Sequence, residues 1–223
     1  MKLPHRFYPI VDSAKWVERL LPQGVKLVQL RIKNRSESEL RAEVMKSLAL
    51  ARQHQAALVI NDYWQLAIEL GADWLHLGQE DLEEADLNAI RRAGIHLGIS
   101  THSDDELENA LRHTPDYVAL GPVFPTTTKQ MPWQPQGAEN VVRWKKRVGD
   151  IPLCAIGGIT LERAPAIYQA GADLIAVVSD VTAAQDPEQR TRDWIAFAEK
   201  QSNGDEVKGD EVNGDEVNGG PHD

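Results

Sequence analysis

The feature that most restricts the fold is an eightfold alternation of short apolar runs with longer amphipathic ones. The apolar runs are FYPIV (7–11), KLVQLRI (26–32), ALVIN (57–61), WLHLG (74–78), HLGIS (96–100), YVALG (117–121), LCAIG (153–157) and LIAVV (174–178). Each has the length of a strand and the Val, Ile, Leu or aromatic content that fills a strand covered on both faces. Between them apolar residues recur at three- and four-residue spacing, as Leu40, Val44, Leu48 and Ala51 do within residues 36–55. That is the period of a helix burying one face. Ser13, Ser36, Asp86 and Ser103 stand just ahead of such stretches, where a side-chain oxygen can accept an unpaired helical N–H. GADWLHLG (71–78) and GADLIAVV (171–178) repeat one junction, in which a glycine closes a helix and the chain enters a strand.

About eight strand–helix units within one domain length predict an α/β fold, a closed (β/α)8 TIM barrel spanning residues 1–202. The competing solution is an open doubly wound sheet, which turns on glycines after its first strand. VDSAK (11–15) contains none. Residues 203–223 are different: GDEVK (204–208), GDEVN (209–213) and GDEVN (214–218) repeat a unit of glycine, acid and isolated valine. Such a unit buries too little apolar surface to offset ordering entropy, so it reads as a low-complexity, disordered acidic tail.

The tail also explains most of the formal charge of -10. From Asn203 onward seven acids face Lys208 alone, so six of the ten negative charges lie in the tail and four on the body. A body this near balance offers no basic footprint for nucleic acid. One cysteine, Cys154, excludes an internal disulfide framework and fits a reducing compartment. The start MKLPHRFYPIVDS lacks a basic segment followed by an apolar stretch, and no apolar run approaches the roughly 18–20 residues of a membrane span. The expected location is the cytoplasm, with small molecules as partners and homo-oligomerisation left open.

In a barrel of this kind the active site lies at the C-terminal ends of the strands, and polar residues collect there. Gln29, Arg31 and Lys33 alternate with Leu30 and Ile32, so the three polar groups share one face. Two converging cations suit a polyanion such as a diphosphate; the bland reading is a strand running out to solvent with snorkelling head groups. Asp62 and Asp81 follow neighbouring strands and can give oxygen ligands to Mg²⁺, which typically takes one or two protein carboxylates. Asp81 could instead cap the following helix, and Glu80 reads as solvent-facing. Ser100 either offers a hydroxyl to a reacting group or begins a helix. His102 has the reach of a general base, but nothing in the sequence orients it. His76 and Cys154 read as core.

After the sixth run comes the longest connection, GPVFPTTTKQMPWQPQG (121–137). Loops of this length inside compact domains are usually functional lids. Thr126, Thr127, Thr128 and Lys129 can hold phosphate, and Phe124 and Trp133 can exclude water. Gly157-Gly158 after the seventh run and Val178-Ser179 after the eighth occupy the recurrent phosphate cup of the fold.

The joint order of QLRIK (29–33), INDYWQLA (60–67), GADWLHLGQEDL (71–82), LGISTH (97–102), ALGPVFPTTTKQMP (119–132) and AIGGI (155–159) resembles the thiamine phosphate synthase family, from Tyr8 to the last helix. The resemblance implies that Gln29, Arg31, Lys33, Asn61 and Lys129, with Leu30 and Ile32 of the same strand, hold a pyrimidine diphosphate beside Ser100. It implies Asp62 and Asp81 as Mg²⁺ ligands, and Thr126, Thr127, Thr128, Gly158, Val178 and Ser179 around a thiazole phosphate. Arg31, Lys33, Ser100 and Lys129 become the catalytic candidates. The implied reaction is dissociative, with diphosphate leaving a pyrimidine methylene that the thiazole nitrogen attacks, and it needs no protein nucleophile. A closed lid would keep water from the cation. Tyr63 stands where relatives place Arg, the tail is outside the family pattern, and the segment before Tyr8 is short. The rival readings are a thiazole tautomerase, a non-catalytic thiazole-phosphate sensor, and a phosphosugar isomerase or aldolase. Arg31, Lys33, Asp62, Asp81 and Lys129 together argue against the tautomerase. The paired Asp62 and Asp81 argue against the sensor and against the isomerase or aldolase, for which a strand-end Lys or Glu base without paired aspartates is expected.

Overall fold

Each of the eight apolar runs forms a strand, and the strands pair in parallel and in sequence order until β8 returns to β1, closing the barrel. The computed structural model describes residues 3–126 and 133–210, the last nine by backbone alone. The strands are β1 (Phe7–Val11), β2 (Leu27–Leu30), β3 (Ala57–Asn61), β4 (Trp74–Leu77), β5 (His96–Thr101), β6 (Tyr117–Leu120), β7 (Leu153–Ile156) and β8 (Leu174–Val177). The helices between and after them are α1 (Ala14–Leu20), α2 (Glu37–Gln53), α3 (Trp64–Glu69), α4 (Gln79–Glu84), α5 (Leu87–Arg92), α6 (Asp104–Arg112), α7 (Gly137–Val148), α8 (Ala164–Gln169), α9 (Ser179–Thr182) and α10 (Pro187–Asp210). α10 runs into the start of the acidic repeat, and residues 211–223 lie outside the described residues. Among the described residues no helix is long and apolar enough to cross a membrane.

Local chemistry starts the helices where expected, with one exception. Ser36 and Glu39 form a reciprocal capping box at α2, and Asp86 and Ser103 accept from the backbone N–H of Ala89 and Glu106. Ser13 precedes α1 without using its side chain; the Ala14 N–H donates to the Glu43 carboxylate of α2 instead. A tertiary partner thus replaces the local cap.

Alternation along the strands sorts residues into two cores. Outward residues such as Val28, Leu30, Ile60, Leu75, Leu77, Ile99 and Ile175 pack under Val17, Leu48, Trp144 and Trp194 of the helices. Inward residues Tyr8, Ile10, Leu27, Val59, Trp74, Tyr117, Cys154 and Leu174 form the second cluster. The first inward positions of the even strands are Leu27, Trp74, Tyr117 and Leu174, large side chains that plug the N-terminal half as a layer of four. The next inward positions on those strands are Gln29, His76, Ala119 and Ala176. Two alanines leave space there, and a cavity opens above the plug.

Candidate active site

The cavity has a volume of about 690 Å³ and is lined by residues from every strand end. Gln29, Arg31 and Lys33 enter it from β2 and the residues just after it, Asn61 and Asp62 from β3, His76 and Gly78 to Asp81 from β4, and Ser100 and His102 from β5. Gly121, Pro122, Thr126 and Trp133 border it after β6, Gly157 and Gly158 after β7, and Val178 and Ser179 after β8. Because β3 lies four strands from β7 and β4 four from β8 in a barrel of eight, the cation–acid cluster and the glycine cup face each other across the mouth.

Two sequence candidates fall elsewhere. Leu30 and Ile32 are each 2% exposed and belong to the core between sheet and helices. Strand alternation that turns Gln29, Arg31 and Lys33 inward must turn these two outward. The Ile32 carbonyl is also engaged, accepting from the Tyr63 hydroxyl at 2.9 Å. Tyr63 therefore braces the end of the β2 segment, a role that its position as a departure from the family pattern did not reveal. Thr127, Thr128 and Lys129 lie outside the described residues.

Charge in the β2–β4 wall is arranged as acids against a cation. Lys33 Nζ pairs with the Asp62 carboxylate. Asp62 has φ 70°, a left-handed conformation that costs a non-glycine residue on the order of 1 kcal/mol. Asp81 sits in the first turn of α4, yet it does not cap that helix: Gly78 is the cap residue and no side chain bonds there. Burial, then the adjacent Asp62 charge and a hydrogen bond with Asp62, raise the Asp81 carboxyl above the usual carboxylate range, while Lys33 opposes the shift. Two carboxyl groups held against one another with one ammonium nearby bring together oxygen donors of the kind a hard divalent cation takes. Among the described residues no group of three or more His, Cys, Asp or Glu is arranged to hold a metal ion by itself. The donor set therefore fits an ion that completes its shell with water and phosphate oxygens, as Mg²⁺ does, better than one needing a protein cage.

Deeper in the cavity runs a polar chain that the sequence does not announce. The Gln29 amide nitrogen donates to the Tyr8 hydroxyl at 2.8 Å, and the Tyr8 and Tyr117 hydroxyls lie 2.9 Å apart. His76 Nδ1 is 2.8 Å from the Tyr117 hydroxyl, and its Nε2 is 2.7 Å from Ser100 Oγ. His76 is 6% exposed; burial, then the Arg31 and His102 charges, pull its pKa to about 4 against the opposing pull of Asp62. It is neutral at physiological pH and lines the cavity, where strand position alone suggested core filling. Gly98 makes the chain possible, because a Cβ there would stand 2.0 Å from the Tyr117 ring.

Further residues support the site from behind. Gln79 Nε2 donates to the Ser100 carbonyl at 2.8 Å and its Oε1 accepts from Asn109 at 3.0 Å, tying α4, β5 and α6. His102 Nδ1 lies 2.8 Å from Glu106, and its ring stacks on Trp133 of the long loop, centroids 5.6 Å apart. His102 lies just before the Ser103 cap of α6, and its backbone N–H also donates to the Glu106 carboxylate at 2.7 Å, so the turn into the helix supplies the orienting partner that the sequence did not reveal. Gly158 has φ 63°, and a Cβ on it would come within 2.5 Å of the Pro125 carbonyl oxygen. The paired glycines thus let the β7 loop pass under the β6 loop, a packing need that adds to close approach of an anion.

The model of the family described as thiamine monophosphate synthase matches residues 7–181, a stretch holding every cavity residue named above. The chain belongs to this family. A thiamine-phosphate synthase of Rhizobium etli is 61% identical over 190 residues, covering 85% of this chain and 93% of that one. That of Escherichia coli K12 is 56% identical over 179 residues, covering 80% and 85%. Among solved structures, a thiamine phosphate pyrophosphorylase from Pyrococcus furiosus superposes with a TM-score of 0.79 at 29% identity, covering 89% of this chain and 97% of that one. The stretch matched by the family model ends within α9, before α10 and the acidic repeat.

Proposed function

We propose that this cavity performs thiamine-phosphate synthesis: the chain is a transferase that joins 4-amino-2-methyl-5-(diphosphooxymethyl)pyrimidine to 4-methyl-5-(2-phosphooxyethyl)thiazole, releasing diphosphate. The observation that carries the reading is the pairing of two anion-binding walls across one mouth, Arg31 and Lys33 on one side and Gly158, Val178 and Ser179 on the other. Two phosphorylated substrates need two such walls, and their reacting ends then meet between them.

Arg31 and Lys33 with Gln29 and Asn61 hold the pyrimidine diphosphate in this reading, and their cations favour the leaving diphosphate over the bound ester. Ser100 stands beside the pyrimidine. Gly158, Val178, Ser179 and Thr126 hold the thiazole phosphate. Lys129, Thr127 and Thr128, from the sequence between Thr126 and Trp133, are further candidates for phosphate contact in this reading. Asp62 and Asp81 hold Mg²⁺ in this scheme, and when bound the ion neutralises charge on the diphosphate oxygens. No side chain attacks the substrate, so the protein's work is to orient both partners and keep water out.

The deciding experiment mixes the purified protein with both phosphorylated substrates, with and without Mg²⁺, and follows thiamine phosphate and diphosphate. Stoichiometric appearance of both, lost with chelator and lowered at least about 100-fold in Asp81→Asn, is expected from removing charge stabilisation in the transition state. Binding of the thiazole phosphate with no product would sink the synthase reading.

A further inference from the structure

The hydrogen-bonded chain beneath the cavity has a direction, and the direction selects a substrate. Gln29 starts it as a donor to the Tyr8 hydroxyl at 2.8 Å. Tyr8 carries one proton, and the hydroxyl of Tyr117 is 2.9 Å away, so that proton runs to Tyr117. Tyr117 in turn passes its own proton to His76 Nδ1 at 2.8 Å. With Nδ1 accepting, the neutral imidazole carries its hydrogen on Nε2 and donates to Ser100 Oγ at 2.7 Å. Ser100 Oγ then has its own proton to give, and Gln29 keeps its carbonyl oxygen to accept. Both residues line the cavity. The chain therefore presents one donor and one acceptor to whatever lies above it, and neither can exchange roles without reversing every link.

We propose that this directed relay makes the site select an aminopyrimidine over its oxo counterpart, with Tyr8, Tyr117 and His76 as positioning residues that never touch the reacting atoms. The inference rests on the synthase reading given above. An amino-substituted ring offers an N–H to the Gln29 carbonyl and a bare ring nitrogen to the Ser100 proton. The oxo form exchanges these: its exocyclic oxygen meets the Gln29 oxygen with no proton between them, and one ring nitrogen carries a hydrogen. A buried polar group left unpaired is the strongest means a site has of rejecting a near-isostere. The sequence carries the requirement in Gly98, where any side chain would displace the Tyr117 ring.

The test measures binding of the aminopyrimidine diphosphate and of its 4-oxo analogue by calorimetry, alongside turnover with thiazole phosphate. Wild type is expected to prefer the amino form by about 100-fold or more. Tyr117→Phe and Tyr8→Phe keep the rings and break the links, and each is expected to lower that preference at least about tenfold while the far-ultraviolet circular dichroism stays unchanged. Nitrogen-15 NMR of His76 should show Nε2 protonated and Nδ1 bare. A wild type that binds both pyrimidines equally, folded Phe variants that keep the full preference, or the opposite His76 tautomer would each overturn the relay. Turnover without relay-dependent discrimination removes this inference and leaves the synthase reading standing; discrimination without thiamine phosphate formation does the reverse.

Discussion

His76 is a cavity residue whose burial disfavours the charged form. An imidazole in water has a pKa near 6.5, and burial in the folded chain lowers that of His76 to about 4. The folded protein binds this proton more weakly than the unfolded chain does. The stability it contributes is therefore complete above pH 6.5 and is lost as the pH falls from 6.5 toward 4, by roughly 3 kcal/mol across the window. Urea unfolding midpoints at pH 7.5, 5.5 and 4.5 should fall more steeply for wild type than for His76→Gln, and equal slopes would assign the acid sensitivity to other groups. At the same scale, spacing in β2 was enough to turn Gln29, Arg31 and Lys33 to one face, and by the same rule Leu30 and Ile32 face the helices. The Tyr8–Tyr117 contact joins residues 109 positions apart, and no local pattern links them.

Between elements, Asp180 is the joint that fixes the β8 side of the cup. It lies in α9, and its carboxylate accepts from Arg190 Nε at 3.0 Å and from Trp194 Nε1 at 2.7 Å, both on α10. The Arg190 and Asp180 side chains are only 22% and 10% exposed, whereas Glu162, the second partner of Arg190, is 69% exposed. Solvent screens the Glu162 contact, so Asp180 carries most of the interaction. Trp194 itself is fully buried and stacks on Phe7 of β1 at 5.4 Å. Asp180→Ala leaves a partly buried guanidinium and an indole N–H short of partners. It should cost about 2–4 kcal/mol in denaturant unfolding and raise the KM for thiazole phosphate more than that for the pyrimidine. An equal rise in both KM values would mean that the loss is global rather than local to Val178 and Ser179. Helix starts at Ser36, Asp86 and Ser103 were readable because a cap is a local bond. Ser13 holds the expected cap position of α1, but its side chain is not used there because Glu43 arrives from another helix.

At the scale of the whole molecule, ligands that bind only the folded barrel report on the site through its stability. Under the proposed scheme, in which Asp62 and Asp81 hold Mg²⁺ and phosphate oxygens complete its shell, Mg²⁺ and diphosphate should each bind better in the presence of the other. Mg²⁺ alone or diphosphate alone is expected to move the thermal midpoint by little. Together, at about a hundred times their dissociation constants, they should add roughly 3 kcal/mol and raise it by about 5–10 °C. Chelation should reverse the gain, and Asp62→Asn should abolish it. Simple additivity of the separate shifts would place metal and diphosphate at independent sites.

By itself the sequence determined the barrel, since eight apolar runs each long enough for a strand and separated by helical periods leave one economical closure. It also determined which strand ends bear cations, acids and glycines, because strand period and chain order are local properties. Tertiary structure alone decided what lies between those ends. Closing the sheet set β3 opposite β7 and put the Arg31–Lys33 wall across the mouth from Gly158 and Ser179. Stacking inward residues in layers put Ala119 and Ala176 level with Gln29 and His76 and so opened the cavity. It also brought Tyr8, Tyr117, His76 and Ser100 from four strands into one hydrogen-bonded chain. The physical reason is the same throughout: a side chain's direction follows from its neighbours along the chain, whereas its partner across the barrel follows from shear and closure, which no short stretch of sequence encodes.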